Sequence, residues 1–470
     1  MLRLQRRTRA PAGAREAEAG QAKPIRRFTP RTLIASTVAS QFVLLSALVR
    51  THSLTLPRAH RTRSCRVLRA VTGLGALVLA LGALPATAVA APFLGVMADG
   101  PMTDGAVNLG YQARLMAKEG VQTVRAAFYW VQTQPFAPGS QIPQGFEDID
   151  GVPTSFDATD KLVAACAQRR LDVLPVVVQA PAWARIDPSK EWSPPADPNA
   201  YADFVATLAK RYGPTGSFWA SHPELPRTPI RYWQVWNEPA GGDRPNDPSF
   251  YWDDPAPFQD RYIAMLRATK QALTAVDPGA KLVLAGLFGR SWESLGSLYD
   301  NGARGLFDVV AVHPYAASPR DSLKIVRLVR SVMRTHGDGA LPLFVTEVSW
   351  HSSDGRISGP DVLGTTQAGQ AKRLLLAFRL FAEARGQLRL RRIYWYTWIA
   401  RDSSSTDSGD YAGLLHLAPR GAVTAKPALA AFARIVQWVR AGARAVQAPP
   451  ERVDAHLGAG LPAQAGLWAQ

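Results

Sequence analysis

Residues 231–239 read RYWQVWNEP, an apolar run from Tyr232 to Trp236 that delivers Asn237 and Glu238 and is halted by Pro239. Aromatic and β-branched residues suit a pleated, buried strand, and a proline cannot continue the ladder. The run therefore predicts a strand, Arg231–Asn237, that ends in an amide and a carboxylate. The same grammar recurs on both sides of it. Short apolar runs at Phe93–Ala98, Thr123–Trp130 and Asp172–Gln179 precede it. Lys281–Leu287, Phe307–Tyr315, Pro342–Ser349 and Arg392–Ile399 follow it.

Between these runs lie stretches with helical periodicity: 104–119, 158–170, 198–212, 257–276, 291–301, 322–335, 366–384 and 428–439. Strands alternating with amphipathic helices predict a parallel α/β architecture. Eight such pairs across residues 91–440 predict a (β/α)8 TIM barrel with loop insertions. A doubly wound open sheet would carry a glycine-rich phosphate turn after its first strand, and Asp99-Gly100-Pro101-Met102 is not one.

The 470-residue chain is 47% hydrophobic and 19% charged, enough to bury a large core. Its net charge of +17 is concentrated at the start, where residues 1–90 hold fifteen Lys or Arg against Glu16 and Glu18. The remainder is nearly balanced, so a nucleic-acid partner is not implied. Residues 1–65 read as a basic, unstructured extension, and translation is expected to start near Val67 or Leu68. Residues 66–90 read as a signal peptide: basic Arg66 and Arg69, apolar Val71–Leu84, and an Ala88-Val89-Ala90 cleavage site. That apolar run is too short and too rich in Gly and Ala for a stable membrane span. The expectation is a secreted protein starting near Ala91, closed by a loose tail over 441–470. Cys65 would leave with the leader, and Cys166, on an apolar helix face, is expected to be a buried, inert thiol.

In a barrel, chemistry belongs at the C-terminal ends of the strands. Polar and aromatic residues collect there: Arg125, Tyr129 and Trp130 on the second strand, Gln179 on the third, and Asn237 and Glu238 on the fourth. His313 and Tyr315 end the sixth strand, Glu347 the seventh, and Trp395 and Trp398 mark the eighth. Two carboxylates flanked by aromatic rings suit glycosidic-bond cleavage, in which one acid protonates the leaving oxygen while the other attacks the anomeric carbon. Arg125 inside an apolar run calls for a buried carboxylate partner. No metal or organic cofactor is expected, because His313 and His351 lack the spacing of a metal site.

Trp236-Asn237-Glu238-Pro239 with Thr346-Glu347 resembles the acid/base and nucleophile pair of the clan A retaining glycoside hydrolases. Glycoside hydrolase family 39 is the nearer resemblance, and the family 5 cellulase-like enzymes are next. Trp130-x-x-x-Gln134-Pro135, His313-Pro314-Tyr315, and Gly413-Leu414-Leu415 with Lys426-Pro427-Ala428 follow the same family order. Gln179 stands where many family 5 members carry a histidine, and the extra β-sandwich of many family 39 xylosidases is missing.

The resemblance implies Glu238 as acid/base and Glu347 as nucleophile in a double displacement. It implies Asn237 on the sugar 2-hydroxyl, Arg125 and Tyr315 on Glu347, and Trp398 as a sugar platform. His313, Trp130 and Gln179 complete the expected substrate-binding set. The expected partner is a carbohydrate, met by a monomer. A transglycosidase would use the same residues, and a non-catalytic polysaccharide-binding barrel would need only the aromatic platform.

Overall fold

The computed structural model describes residues 91–241 and 249–442. The extension, the signal peptide and all of the tail beyond Gly442 lie outside the described residues.

Eight barrel strands follow one another: β1 Leu94–Ala98, β2 Thr123–Tyr129, β3 Asp172–Val178 and β4 Tyr232–Val235. β5 runs in two pieces, Lys281–Val283 and Leu287–Phe288, and β6 is Val310–His313, β7 Leu343–Val348 and β8 Leu390–Trp395. All neighbours are parallel, and β1 pairs with both β2 and β8. The ring closes at β5, whose first piece pairs with β4 and whose second pairs with β6; Val283 also bridges Val309.

A helix follows each strand: α1 Leu109–Lys118, α2 Asp157–Ala167, α3 Pro198–Tyr212 and α4 Phe258–Val276, then α5 Ser291–Asp300, α6 Pro319–Thr335, α7 Gln367–Ala384 and α8 Pro427–Arg440. Side chains set their starts. Asn108, Asp197, Ser318 and Thr366 accept backbone N–H groups of the first turns of α1, α3, α6 and α7. Proline at the first helical position of α3 and α6 fixes the entry. The first helix starts at Leu109, later than its apolar pattern suggested, because Asn108 caps it. The sixth starts at Pro319, earlier than expected, because Ser318 caps it.

The main core lies between the strands and the helical ring. A second apolar set fills the barrel itself: Leu174, Val283, Val309, Ala311, Phe344 and Tyr394, all buried. Gly95 makes room for the last of these, since a Cβ there would stand 2.6 Å from the Tyr394 ring. Above them lie Met97, Val176 and Val178, so the barrel is packed and its chemistry is confined to the mouth. Cys166 is buried on α2, and burial pushes its thiol up to about 12. Among the described residues, no helix is long and apolar enough to cross a membrane.

Candidate active site

Strands β3 and β4 end in bends rather than continuing straight. Gln179, Trp236 and Glu238 take positive φ angles of 57°, 64° and 40°, a region that side chains adopt rarely and that gathers at functional sites. Trp236 is held there by its backbone N–H on the Val177 carbonyl and its indole N–H on the Tyr251 carbonyl. The Ser249 hydroxyl donates to the Glu238 carbonyl. The turn tips Asn237 and Glu238 into the barrel mouth, where they are 7% and 9% exposed.

Glu347, inside β7 and 8% exposed, meets them across the mouth. One carboxylate oxygen from each acid and a ring nitrogen of His313 all lie within 4.8 Å of one another. Arg125 of β2 is wholly buried and binds three groups of the site. Its guanidinium donates to Glu347 Oε1 at 2.5 Å, to Asn237 Oδ1 at 2.7 Å and to Gln234 Oε1 at 2.6 Å. The Tyr315 hydroxyl donates to Glu347 Oε2 at 2.8 Å. Both oxygens of Glu347 are thus fixed by donors. Asn237 offers its carbonyl to Arg125 and leaves its NH₂ to meet a ligand.

His313 lies at the end of β6 with Nδ1 2.5 Å from Glu238 Oε1 and 3.6 Å from Glu347 Oε2. Burial and the Arg125 charge push its pKa well below the usual 6.5, so the ring is neutral. Its Nε2 is buried without a partner among the described residues. The break in β5 explains how the ring fits: a Cβ on Gly286 would stand 1.9 Å from Nε2. Gly286→Ala should therefore drive the imidazole toward the two acids. A shift of this kind is expected to lower kcat/KM by roughly 100-fold. Overpacking should cost about 1–3 kcal/mol of stability. Unchanged kinetics at an unchanged melting temperature would refute this coupling.

The two acids differ in surroundings. Burial lifts Glu238 well above the usual carboxyl range, and the charge of Glu347 lifts it further. Burial lifts Glu347 too, but Arg125 and Tyr315 pull it back. The pair therefore keeps its proton on Glu238 and its charge on Glu347. The triad of Glu238, His313 and Glu347 has the donors of a metal site. A cation there would have to displace the guanidinium and the phenol from Glu347, which already balance it.

Two expected sugar contacts do not reach the site. Trp398 is fully buried, its indole N–H on Gln112 of α1. Trp130 is fully buried as well, bonded to Gln134 and stacked on Phe204 of α3. Both rings lie on the outer side of the strands, where apolar bulk packs against helices. Gln179 borders the mouth and donates to Glu191 of the loop after β3 at 2.6 Å, so it ties down that loop.

Sequence reasoning missed Tyr396, Tyr251, Asp99 and Gln234. Arg392, Tyr394 and Tyr396 alternate inward along β8, and that two-residue period was the available signal. Tyr396 is half-buried, 3.4 Å from Asp99 through its hydroxyl, and it feels the charges of Asp99 and Glu347. Tyr251 lies in the field of both catalytic-type acids, Glu238 and Glu347. Trp192 packs edge-on against Tyr251 at 4.7 Å and tilted against Phe250 at 5.6 Å, and Phe250 is 61% exposed. This gives the mouth an aromatic rim.

No family model matches the chain, and no curated protein matches it. Solved structures do. A family 39 glycoside hydrolase from the gut symbiont Bacteroides cellulosilyticus WH2 aligns at 18% identity with a TM-score of 0.54, over 74% of this chain and 64% of its own. The chain thus spans slightly less than two thirds of that structure. A monomeric beta-xylosidase from Caulobacter crescentus CB15 aligns at 17% identity, TM-score 0.51, over 73% and 68%. GH5_18 from Streptomyces cattleya in complex with GlcNAc aligns at 18%, TM-score 0.52, over 77% and 82%. These likenesses agree with the barrel built from the strands above.

Proposed function

We propose that this chain is a retaining glycosidase that cleaves a poly- or oligosaccharide by double displacement. The observation that carries the reading is the pair of buried carboxylates, one clamped by Arg125 and Tyr315, with oxygens within 4.8 Å. Inverting enzymes hold their carboxyl groups roughly 6.5–9.5 Å apart to leave room for a water, and carboxylate oxygens that approach within 4.8 Å favour the shorter spacing of a retaining pair. Glu347, held ionised, attacks the anomeric carbon. Glu238, held protonated, gives its proton to the leaving oxygen and then takes one from the water that frees the sugar. In this scheme Asn237, its carbonyl held by Arg125, donates its NH₂ to a sugar hydroxyl beside the attacked carbon. The aromatic rim of Trp192, Phe250 and Tyr251 supplies flat faces for sugar rings. All these groups come from one chain, in keeping with action as a monomer. No step in this scheme calls for a metal or an organic cofactor.

The test is a panel of aryl glycosides and polysaccharides, with the anomer of the first product read by proton NMR. Release of the retained anomer from at least one sugar is expected. An inverted first product would overturn the mechanism, and no cleavage across the panel would overturn the function.

On sequence grounds we also propose that the protein is secreted, with cleavage after Ala90. N-terminal sequencing of protein from the culture medium should begin near Ala91. A cytoplasmic product that keeps residues 71–90 would contradict this.

A further inference from the structure

The opposite, N-terminal end of the barrel holds a second cavity, of about 330 Å³. Four arginines line it, Arg385, Arg389, Arg391 and Arg392, together with the rings of Tyr232 and Phe344, and no acid does among the described residues. Arg392 is the inner wall. It is buried, bonded to Asp172 at 3.2 Å, and its guanidinium lies over the rings of Tyr232 and Phe344 at 4.7 and 5.5 Å. The other three have no carboxylate within ion-pair distance among the described residues. Arg385 rests on the ring of Phe93 at 4.3 Å, and Arg389 donates to the carbonyl of Ala340.

Elsewhere the described chain pairs many of its exposed cations, as Lys161 with Asp157 and Arg401 with Asp104. Here like charges are held together instead, and burial with the neighbouring Arg391 pushes the pKa of Arg385 down. Two further arginines extend the field. Arg330, anchored on the carbonyls of Leu341 and Leu388, is pushed to about 10 by burial, Arg334 and Arg389. Uncompensated guanidinium groups around a concave, partly aromatic floor are stabilised by an anion. Their planar forks match tetrahedral oxyanions two oxygens at a time.

We propose that this cavity is a binding site for a phosphate-bearing anion, separate from the acids at the other end of the barrel. Its volume exceeds one phosphate group and admits a diphosphate or a phosphoester headgroup. A soluble phosphate compound and the headgroup of an anionic lipid present the same chemistry.

The test uses the whole chain and two variants. Arg391→Glu changes an exposed side chain and should leave the fold intact, and Arg385→Gln removes a second fork. Titration with inorganic pyrophosphate at low ionic strength, followed by calorimetry, should give saturable binding. Each variant should bind at least tenfold more weakly, the scale of one lost charge-assisted pair. In a parallel arm, the chain is sedimented with phosphatidylglycerol vesicles and with phosphatidylcholine vesicles. Sedimentation with the former alone, reversed by pyrophosphate and reduced in Arg391→Glu, supports the site with a lipid as the source. Pyrophosphate binding without sedimentation supports it with a soluble source. Absence of saturable binding, or equal affinity of parent and both variants, would overturn the proposal.

Discussion

Glu347→Ala is expected to lower turnover of every substrate by about 10⁴- to 10⁶-fold, the scale on which loss of a nucleophile acts. No leaving group, however good, can compensate, because no glycosyl ester can form. The space left by the side chain opens the face it used to attack. Added azide should enter there and give a glycosyl azide of inverted configuration. The variant has a structural consequence as well. Arg125 keeps Asn237 and Gln234 but, while buried, loses the carboxylate it is ion-paired with. Breaking a buried pair costs about 3–5 kcal/mol, so a lower melting temperature is expected, and the kinetics should be read below it. Glu347→Gln, which retains an acceptor for Arg125, should be equally inactive and more stable. An active Glu347→Gln would remove the residue from the mechanism.

Glu238→Ala should behave differently, and the difference assigns the roles. With natural saccharides the rate should fall by roughly 10²–10⁴-fold, the range of general acid–base catalysis. A dinitrophenyl glycoside needs little protonation, so it should still load Glu347 in a rapid burst. The ester should then persist, since the base that activates water is gone. Azide needs no base and should release it as a product of retained configuration. The pH profile gives a second readout. In the parent, activity on saccharides should fall as pH rises through the raised pKa of Glu238, because only the protonated form is an acid. It should fall at low pH as Glu347 takes up a proton. In Glu238→Ala the alkaline limb should vanish and the acid limb remain. Opposite azide stereochemistry in the two variants would reverse the assignments.

All eight strands and all eight helices were legible in the sequence, because a strand buried on both faces writes itself as an apolar run and a helix as a 3.6-residue period. Glu238, Asn237, Glu347, His313 and Tyr315 were legible as polar residues at strand ends and Arg125 as a charge inside an apolar run, and the structure gathers them at one mouth. The misses have a common cause. Trp130 and Trp398 were placed at the mouth for their chemistry, but each points outward to a helix, and a ring type carries no direction. Counting by twos along β8 would have selected Tyr396. The interruption of β5 at Gly286 was illegible because its reason is the His313 ring on the adjacent strand. The arginine-lined cavity was hidden likewise. Tyr232 and Phe344 come from strands far apart in sequence from the Arg385–Arg392 segment.

The claim at the centre is a covalent bond between the sugar and Glu347. Dinitrophenyl 2-deoxy-2-fluoro glycosides of the sugars that the protein cleaves test it directly. The fluorine slows both chemical steps while the leaving group drives the first, so the ester accumulates. Intact mass should rise by one fluorosugar per chain. After digestion with trypsin the label should sit on the peptide Thr335–Arg356, whose only glutamate is Glu347. A label on the peptide that carries Glu238, or no label with a sugar that is cleaved at measurable rate, would contradict the account.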